Sequence, residues 1–244
     1  RDFCLSRGLG DVYKRQVIAN EHNELKTKFI RNISSQMEPT LNTLGTSAKE
    51  LSAQAPRYAE QMQAQVAALK QFSDNIQELS SLENSLTEPY EMGEVNAGTF
   101  CESVMEKAKE FIKPDVTPSV KAPKLQVKTN KEQLERILLY LLKNAAFYTE
   151  QGRISLDFKK RGAHTHQFII TDTGTGIPAE QQENLFKPFT QVKDLTTGDG
   201  LGLPICSLIA TKMNGSLTLD TSYTKGCRFI PVSYTHLRAH ETGR

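Results

Sequence analysis

The stretch from Ile18 to Leu86 constrains the fold most, because it is almost free of glycine and carries apolar residues at helical spacing. These residues are Phe29, Ile33, Met37, Leu41, Leu44, Val66, Leu69, Phe72, Ile76, Leu79 and Leu82. We predict two helices with a bend between Ala53 and Arg57, where Pro56 suits the first turn of the second helix. A lone helical hairpin buries only one apolar seam, so two copies are expected to close into a dimeric four-helix bundle.

The second half of the chain alternates between helix and strand patterns. After a linker at residues 87–98, helices are predicted at Thr99–Ile112, Lys131–Tyr148 and Leu203–Met213. Strands are predicted at Leu125–Thr129, Arg153–Lys159, His166–Thr171, Ser216–Asp220 and Cys227–Ile230. This order predicts the α+β class, in which the helical hairpin is followed by an α/β sandwich whose mixed sheet is covered by helices.

The two ends of the chain are related at the codon level. One possible DNA sequence that encodes Val232–Thr242 has a reverse complement that, read one base in, encodes SRGLGDVYKR. That string is the sequence of residues 6–15. Unrelated protein segments do not share such a relation, so we expect residues 1–16 and 232–244 to be translated sequencing adapter. The natural gene is then expected to continue on both sides, with residues 17–86 as the hairpin and 99–231 as the second domain.

Composition excludes several classes of function for the part between these flanks. The flanks hold six of the 30 basic residues and three of the 28 acidic ones, which leaves a net charge of −1 and no electrostatic case for nucleic acid. The remaining cysteines, Cys101, Cys206 and Cys227, are odd in number and lack metal-like spacing, so a reducing compartment is expected. No apolar run approaches the roughly 20 residues that a membrane span requires.

Two glycine clusters and one helix carry the candidate chemistry. Asp172 ends a strand and is followed by Gly174 and Gly176, a pattern that fits either a plain tight turn or a close approach to a ligand. The second cluster, Gly198–Gly202, opens onto a helix, a pattern that fits either a plain glycine-rich loop or an anion site at the free backbone N–H groups of the helix start. In the predicted helix Lys131–Tyr148, Asn144 lies off the apolar face, and its amide oxygen is a ligand of the kind that Mg²⁺ accepts.

In chain order these segments read LLKNAAFYT, DTGTGIP, NLFKPFTQ and GDGLGLPI. Their spacing resembles the four nucleotide-binding boxes of the histidine kinase and Hsp90-type ATPase superfamily. The helical region is also similar to that of sensor histidine kinases, since FIRNISSQMEPTL resembles the dimerisation helix and IQELSSLENSL resembles the end of its partner. The resemblance therefore covers residues 17–231, as a dimerisation hairpin followed by an ATP-binding domain whose last strand is truncated.

The resemblance implies ATP and Mg²⁺ as cofactors and assigns roles to particular residues. Asp172 is expected to bind the adenine amino group, and Asn144 is expected to hold Mg²⁺ against the phosphates. The other residues expected to contact the nucleotide are Tyr148, Gly174, Gly176, Ile177, Phe189, Lys193, Gly198, Gly200, Leu201 and Gly202. Phe186 and Phe189, with Thr190–Thr197, resemble a lid that orders when nucleotide binds.

The sequence departs from the family pattern at the phosphate acceptor. The acceptor histidine is expected at Ser35 when counted from Phe29, or at Ser34 when counted back from Pro39, and neither is histidine. The acidic neighbour, which is the general base, is replaced by Gln36 or by Ser35 itself. A serine hydroxyl without a base is a poor nucleophile, so self-phosphorylation at this degenerate catalytic position is in doubt.

Two further departures touch the nucleotide boxes. Tyr140 stands where an asparagine is common, and Phe147 stands where a phosphate-facing lysine is common. Lys143 or Lys193 could compensate for that missing lysine. Phosphoryl transfer depends on neutralisation of charge by cations, so we expect these changes to reduce catalysis more than nucleotide binding.

Three hypotheses of function follow from the resemblance. The first is a dimeric transmitter of a two-component system that binds Mg·ATP and acts with a response regulator or receiver domain, the cytoplasmic portion of a membrane-anchored bacterial sensor. The second is an inactive pseudokinase that regulates a partner kinase or response regulator. The third, an ATPase-type chaperone or repair protein, is disfavoured because those relatives lack the hairpin. Any membrane anchor would lie in segments upstream of this chain.

Overall fold

The computed structural model describes residues 30, 34, 35, 37–50, 55–86, 88, 90–162, 165–188 and 200–234. By contact the chain divides into two compact units, one of residues 1–85 with 191–201, the other of residues 86–190 with 202–244. Within the described ranges, no helix combines the length and the apolar character that crossing a bilayer requires.

Two helices lie in the described part of the first unit. Helix α1 includes residues 37–50, and helix α2 spans Pro56–Asn84, with Pro56 in its first turn as predicted. The predicted bend falls partly on residues 51–54, which lie outside the described residues. The side chains that face inward include Leu41, Ala48, Ala59, Leu79 and Leu82. Val66, Leu69, Phe72 and Ile76 of the predicted apolar seam are only half-buried within the single chain.

The second unit is built on a mixed five-stranded sheet. Its strands are β2 (Val116–Lys121), β4 (Gly152–Lys160), β5 (Thr165–Asp172), β6 (Gly215–Leu219) and β7 (Arg228–Tyr234). Their order in the sheet is β2-β4-β5-β7-β6, and only the β2–β4 pair is parallel. A separate antiparallel pair is formed by β1 (Gly93–Asn96) and β3 (Gln126–Thr129).

Three helices cover one face of this sheet: α3 (Ala97–Ala108), α4 (Lys131–Tyr148) and α6 (Gly202–Lys212). The alternation predicted for β4 places Ile154, Leu156 and Phe158 in the core, and the β5 residues opposite them are Asp172, Ile170 and Phe168. The Phe168 ring packs edge-on against Phe158 at 5.2 Å between centroids. Burial of each such side chain stabilises the fold by about 1.5–3 kcal/mol.

Local signals account for where the helices begin. The side chain of Asn96 accepts a hydrogen bond from the Thr99 backbone N–H at 3.2 Å and so caps α3. Asn130 caps α4 in the same way through the Gln133 N–H at 2.9 Å. These caps satisfy N–H groups that a helix leaves unpaired at its start. A short further helix, α5, spans Ala179–Gln182.

The predicted α+β class is confirmed, while several element boundaries differ from the prediction. Strand β1 lies inside the predicted linker 87–98, and α3 begins two residues early and ends at Ala108 before a 3-10 turn at Lys109–Phe111. Strand β2 was not predicted because it contains Pro118, but it lies at the sheet edge, where proline is tolerated. Strand β7 continues to Tyr234, three residues past the predicted domain end.

Candidate nucleotide-binding site

Asp172 is a buried carboxylate at the end of β5. Its side chain is 4% exposed, and its Oδ1 accepts hydrogen bonds from the backbone N–H groups of Gly174 at 2.9 Å and Cys227 at 3.1 Å. Among the described residues, no donor bonds the other oxygen, Oδ2. One carboxylate oxygen is thus fixed by the protein, and the second can accept a hydrogen bond from a ligand.

The electrostatic state of this carboxylate follows from its surroundings. Burial raises the pKa of Asp172 above its ordinary value, and the two backbone N–H donors lower it and so oppose the effect of burial. The neighbouring Cys227 thiol is buried too, and burial, with a contribution from Asp172, raises its pKa to about 12. That thiol is therefore neutral at pH 7 and adds no negative charge beside the carboxylate.

A loop that joins β6 to β7 supplies much of the support for Asp172. The Tyr223 hydroxyl donates to the Asp172 carbonyl oxygen at 3.2 Å, and the Asp172 N–H donates to the Cys227 carbonyl at 2.9 Å. Gly226 has φ of +143°, and a Cβ there would lie 2.2 Å from the Asp172 carbonyl oxygen. Only glycine fits this approach, since the neighbouring atom is backbone.

The loop after Asp172 lies against the C-terminal end of α4. A Cβ at Gly174 would lie 2.5 Å from the Tyr148 carbonyl oxygen, and Thr175 donates its N–H to that oxygen at 3.3 Å. The glycine in this motif is thus required by contact within the protein itself. This contact brings Asp172 and Tyr148, two of the predicted nucleotide contacts, to neighbouring places in the fold.

One stripe of α4 extends from this loop to the start of α6. Tyr140, Asn144 and Tyr148 are spaced four residues apart, which places them on one side of the helix. A Cβ at Gly202 would lie 2.0 Å from the Tyr140 ring, so this ring lies directly against the backbone at the first residue of α6. Asn144 lies between these two contacts and is half-buried, and among the described residues its side chain has no hydrogen-bond partner.

The other predicted nucleotide contacts lie only partly within the described residues. Gly176 has φ of +73°, and the Ile177 carbonyl accepts a hydrogen bond from the Gln182 side chain at 2.8 Å. Gly200 also has a positive φ, of +68°, and Leu201 is fully buried. Phe189, Lys193 and Gly198 lie outside the described residues, as does most of the predicted lid.

The two candidate residues for the phosphate-acceptor position differ in their exposure to solvent. Ser34 is 6% exposed, whereas Ser35 is on the surface and makes contacts within the chain. Gln36 lies outside the described residues. A phosphate acceptor has to reach the nucleotide through solvent-accessible space, so within the single chain Ser35 is the more accessible of the two.

Sequence reasoning did not find the β6–β7 loop as part of the site. Tyr223, Gly226 and the Cys227 N–H all contact Asp172, although they follow it by more than 50 residues. The available signal was the Lys225–Gly226 pair directly before a strand, a pattern that marks a bulge or a close backbone approach. This pair of residues does not indicate which residue the backbone approaches.

Comparison with known families agrees with the fold. Residues 129–236 match the family model described as "Histidine kinase-, DNA gyrase B-, and HSP90-like ATPase". These residues, which include Asp172, Asn144 and Gly202, are similar to the ATPase domains of that family.

Two curated relatives are named as sensor proteins. The aerobic respiration control sensor protein ArcB of Escherichia coli (strain K12) is 25% identical over 218 residues, which cover 84% of this chain and 28% of ArcB. The autoinducer 2 sensor kinase/phosphatase LuxQ of Vibrio vulnificus (strain YJ016) is 34% identical over 119 residues, 44% of this chain and 14% of LuxQ. The chain thus spans less than a third of the length of these curated relatives.

Solved structures show the same fold over most of the chain. Full-length ShkA in complex with AMPPNP matches with a TM-score of 0.69 and 20% identity, covering 85% of this chain and 46% of ShkA. The Acinetobacter baumannii histidine kinase AdeS matches with a TM-score of 0.63 and 19% identity, covering 82% of this chain and 98% of that one. At these identities the two structures show the fold of the chain, which is the one that its motifs indicated.

Proposed function

We propose that this chain binds Mg·ATP as the transmitter of a two-component signalling system and has lost self-phosphorylation at residues 34 and 35. The observation that carries the proposal is the state of Asp172, a buried carboxylate with one oxygen held by two N–H groups and the other without a donor among the described residues. An exocyclic amine on a purine base is such a donor.

The arrangement of α4 supports a position for the nucleotide phosphates in the same site. Tyr148 contacts the loop after Asp172, while Tyr140 contacts the first residue of α6, so the stripe between them spans from the base end to Gly202. Helix α6 begins at Gly202, and the N-terminus of a helix favours negatively charged groups. ATP lying along this stripe would place its phosphates beside Asn144.

The donor set fits Mg²⁺ better than a metal held by protein groups alone. Among the described residues, no three His, Cys, Asp or Glu side chains are grouped so that they could hold a metal ion. Asn144 offers one amide oxygen, which no other described residue binds. Mg²⁺ commonly takes one or two protein oxygens and completes its shell with phosphate oxygens and water, and in the site it would neutralise phosphate charge.

A homodimer through the helical unit is part of this proposal. Val66, Leu69, Phe72 and Ile76 remain half-buried, and Leu44 is 40% exposed. A second hairpin would cover these side chains and complete a four-helix bundle. Equilibrium sedimentation of the native chain is expected to give a dimer, and a concentration-independent monomer would contradict this part of the proposal.

The partner that would receive or exchange phosphate is proposed to be a response regulator or receiver domain. Two relatives, a respiration control sensor and a sensor kinase/phosphatase, support a signalling role of this kind. Because the acceptor position holds serine, phosphoryl transfer from this chain would use a histidine in another domain or in a partner.

Labelling with radioactive ATP tests the catalytic part of the proposal. The native chain is expected to acquire no acid-labile, base-stable label, whereas the double variant Ser35→His, Gln36→Glu restores a nucleophile with a neighbouring base and is expected to acquire it. Label on a mapped residue of the native chain would overturn the proposed loss of self-phosphorylation. Nucleotide binding without label in either protein would favour the regulatory pseudokinase.

A further inference from the structure

Arg228, the first residue of β7, contacts three other side chains at the edge of the proposed nucleotide site. Its Nη1 lies 3.1 Å from Asp220 Oδ2, and its Nε donates to Thr171 Oγ1 at 3.2 Å. Its guanidinium also lies over the Tyr223 ring, 4.2 Å from the centroid. We call this group of four side chains the Arg228 clamp.

The clamp is held on its outer side by the loop between β6 and β7. Ser222 donates from its backbone N–H and from its hydroxyl to Asp220 Oδ1, at 3.1 Å and 2.6 Å. Asp220 also donates its N–H to the Arg228 carbonyl at 2.8 Å. These bonds fix the Asp220 carboxylate, which in turn fixes the guanidinium of Arg228.

The inner side of the clamp reaches Asp172 by three routes. Tyr223, whose ring lies under the guanidinium, donates its hydroxyl to the Asp172 carbonyl at 3.2 Å. Thr171, which accepts from Arg228, directly precedes Asp172 in β5. Cys227, which directly precedes Arg228, donates its N–H to the Asp172 carboxylate at 3.1 Å. Arg228 therefore connects the residues on both sides of the carboxylate, but does not contact the carboxylate itself.

Only arginine can make this set of contacts together. Its planar guanidinium has separate N–H groups that donate in different directions while its face stacks on an aromatic ring. A lysine in the same place would keep the positive charge near Asp220 but would lose the fixed geometry toward Thr171 and the stacking surface. Arg228→Lys is therefore a substitution that keeps charge and removes the geometry.

We propose that Arg228 is a positioning residue for recognition of the nucleotide base, acting through Tyr223 and Thr171 to hold the Asp172 carboxylate in place. This inference rests on the proposed binding of an adenine nucleotide. It predicts that loss of the clamp affects the part of binding that depends on the exocyclic amine of the base, and leaves the phosphate contacts as they are.

Calorimetric titration of the full chain with two nucleotides tests this inference. The nucleotides are ADP and purine riboside 5′-diphosphate, which is ADP without the exocyclic amine. We expect Arg228→Lys to weaken ADP binding by about tenfold and to change binding of the amine-free nucleotide by less than about twofold. Tyr223→Phe removes only the hydroxyl that bonds the Asp172 carbonyl, so a selective loss of about threefold to tenfold is expected there too.

Arg161→Lys is a matched control, because Arg161 donates from its Nε to Gln167 at 3.2 Å near the opposite ends of β4 and β5. It is expected to bind both nucleotides as the native chain does. An equal loss for both nucleotides in Arg228→Lys and Tyr223→Phe, or no loss in either variant, would overturn the positioning role. If the native chain bound neither nucleotide, the proposed nucleotide site itself would be wrong.

Discussion

The substitution Asp172→Asn separates nucleotide recognition from folding. The amide keeps one oxygen that can accept the N–H groups of Gly174 and Cys227, but it places an NH₂ donor where the free carboxylate oxygen was. A donor facing the amine of a base cannot form a hydrogen bond. Loss of a hydrogen bond to a charged acceptor costs about 1.5–3 kcal/mol, so nucleotide binding is expected to weaken about thirtyfold.

Thermal unfolding converts this loss into a measurable shift. At a nucleotide concentration about 100 times the native Kd, binding stabilises the native chain by about 2.7 kcal/mol and a thirtyfold weaker variant by about 0.9 kcal/mol. With about 2–4 °C per kcal/mol for a domain of this size, the nucleotide-induced rise in Tm is about 5–11 °C for the native chain. The corresponding rise for the variant is about 2–4 °C.

Without nucleotide, the same variant is expected to keep its Tm at pH 7. Burial raises the pKa of Asp172, so the carboxylate contributes most to stability when protonated, and this contribution is lost as the pH rises through the folded pKa. A neutral amide therefore removes no favourable charge at pH 7. Asp157→Asn is the control, since Asp157 is a half-buried carboxylate on neighbouring β4. An equal nucleotide-induced shift in Asp172→Asn and the native chain would refute the assigned role.

Three other measurements follow from the structure. Because the folded pKa of Asp172 is raised, ADP affinity followed by calorimetry is expected to fall on acidification at a pH above the ordinary aspartate range, and this fall is expected to be absent in Asp172→Asn. Gly174→Ala places a Cβ 2.5 Å from a backbone carbonyl and is expected to lower the free energy of unfolding by about 1–3 kcal/mol in urea, whereas Gly93→Ala, with open space around its Cβ, is expected to be nearly neutral. Gly202→Ala is expected to destabilise by a similar amount, about 1–3 kcal/mol, and the added change Tyr140→Ala is expected to recover part of it, because the clash is with that ring. Additive losses in the double variant would contradict the contact.

Much of the fold could be predicted from the sequence because its signals are local. The apolar face and the Asn130 cap predicted helix α4 with the bounds that the structure has, Lys131–Tyr148. Alternation predicted the core side of β4, and the order of the motifs indicated the class of domain that the comparisons support. Helical periodicity, capping and strand alternation each depend on residues a few positions apart, so a single sequence displays them.

The tertiary structure decided which segments that are distant in the sequence contact each other. Strand β2 was not predicted because it contains Pro118. A strand tolerates proline at the edge of a sheet, and the sequence does not show that β2 lies at an edge. Nothing local to Asp172 indicates that its carboxylate is held by Cys227, or that Arg228 stacks on Tyr223 beside it. Strand pairing and the path of the β6–β7 loop set these contacts. The sequence thus determined which chemical groups are present, and the register of β5 against β7 decided which of them support one another.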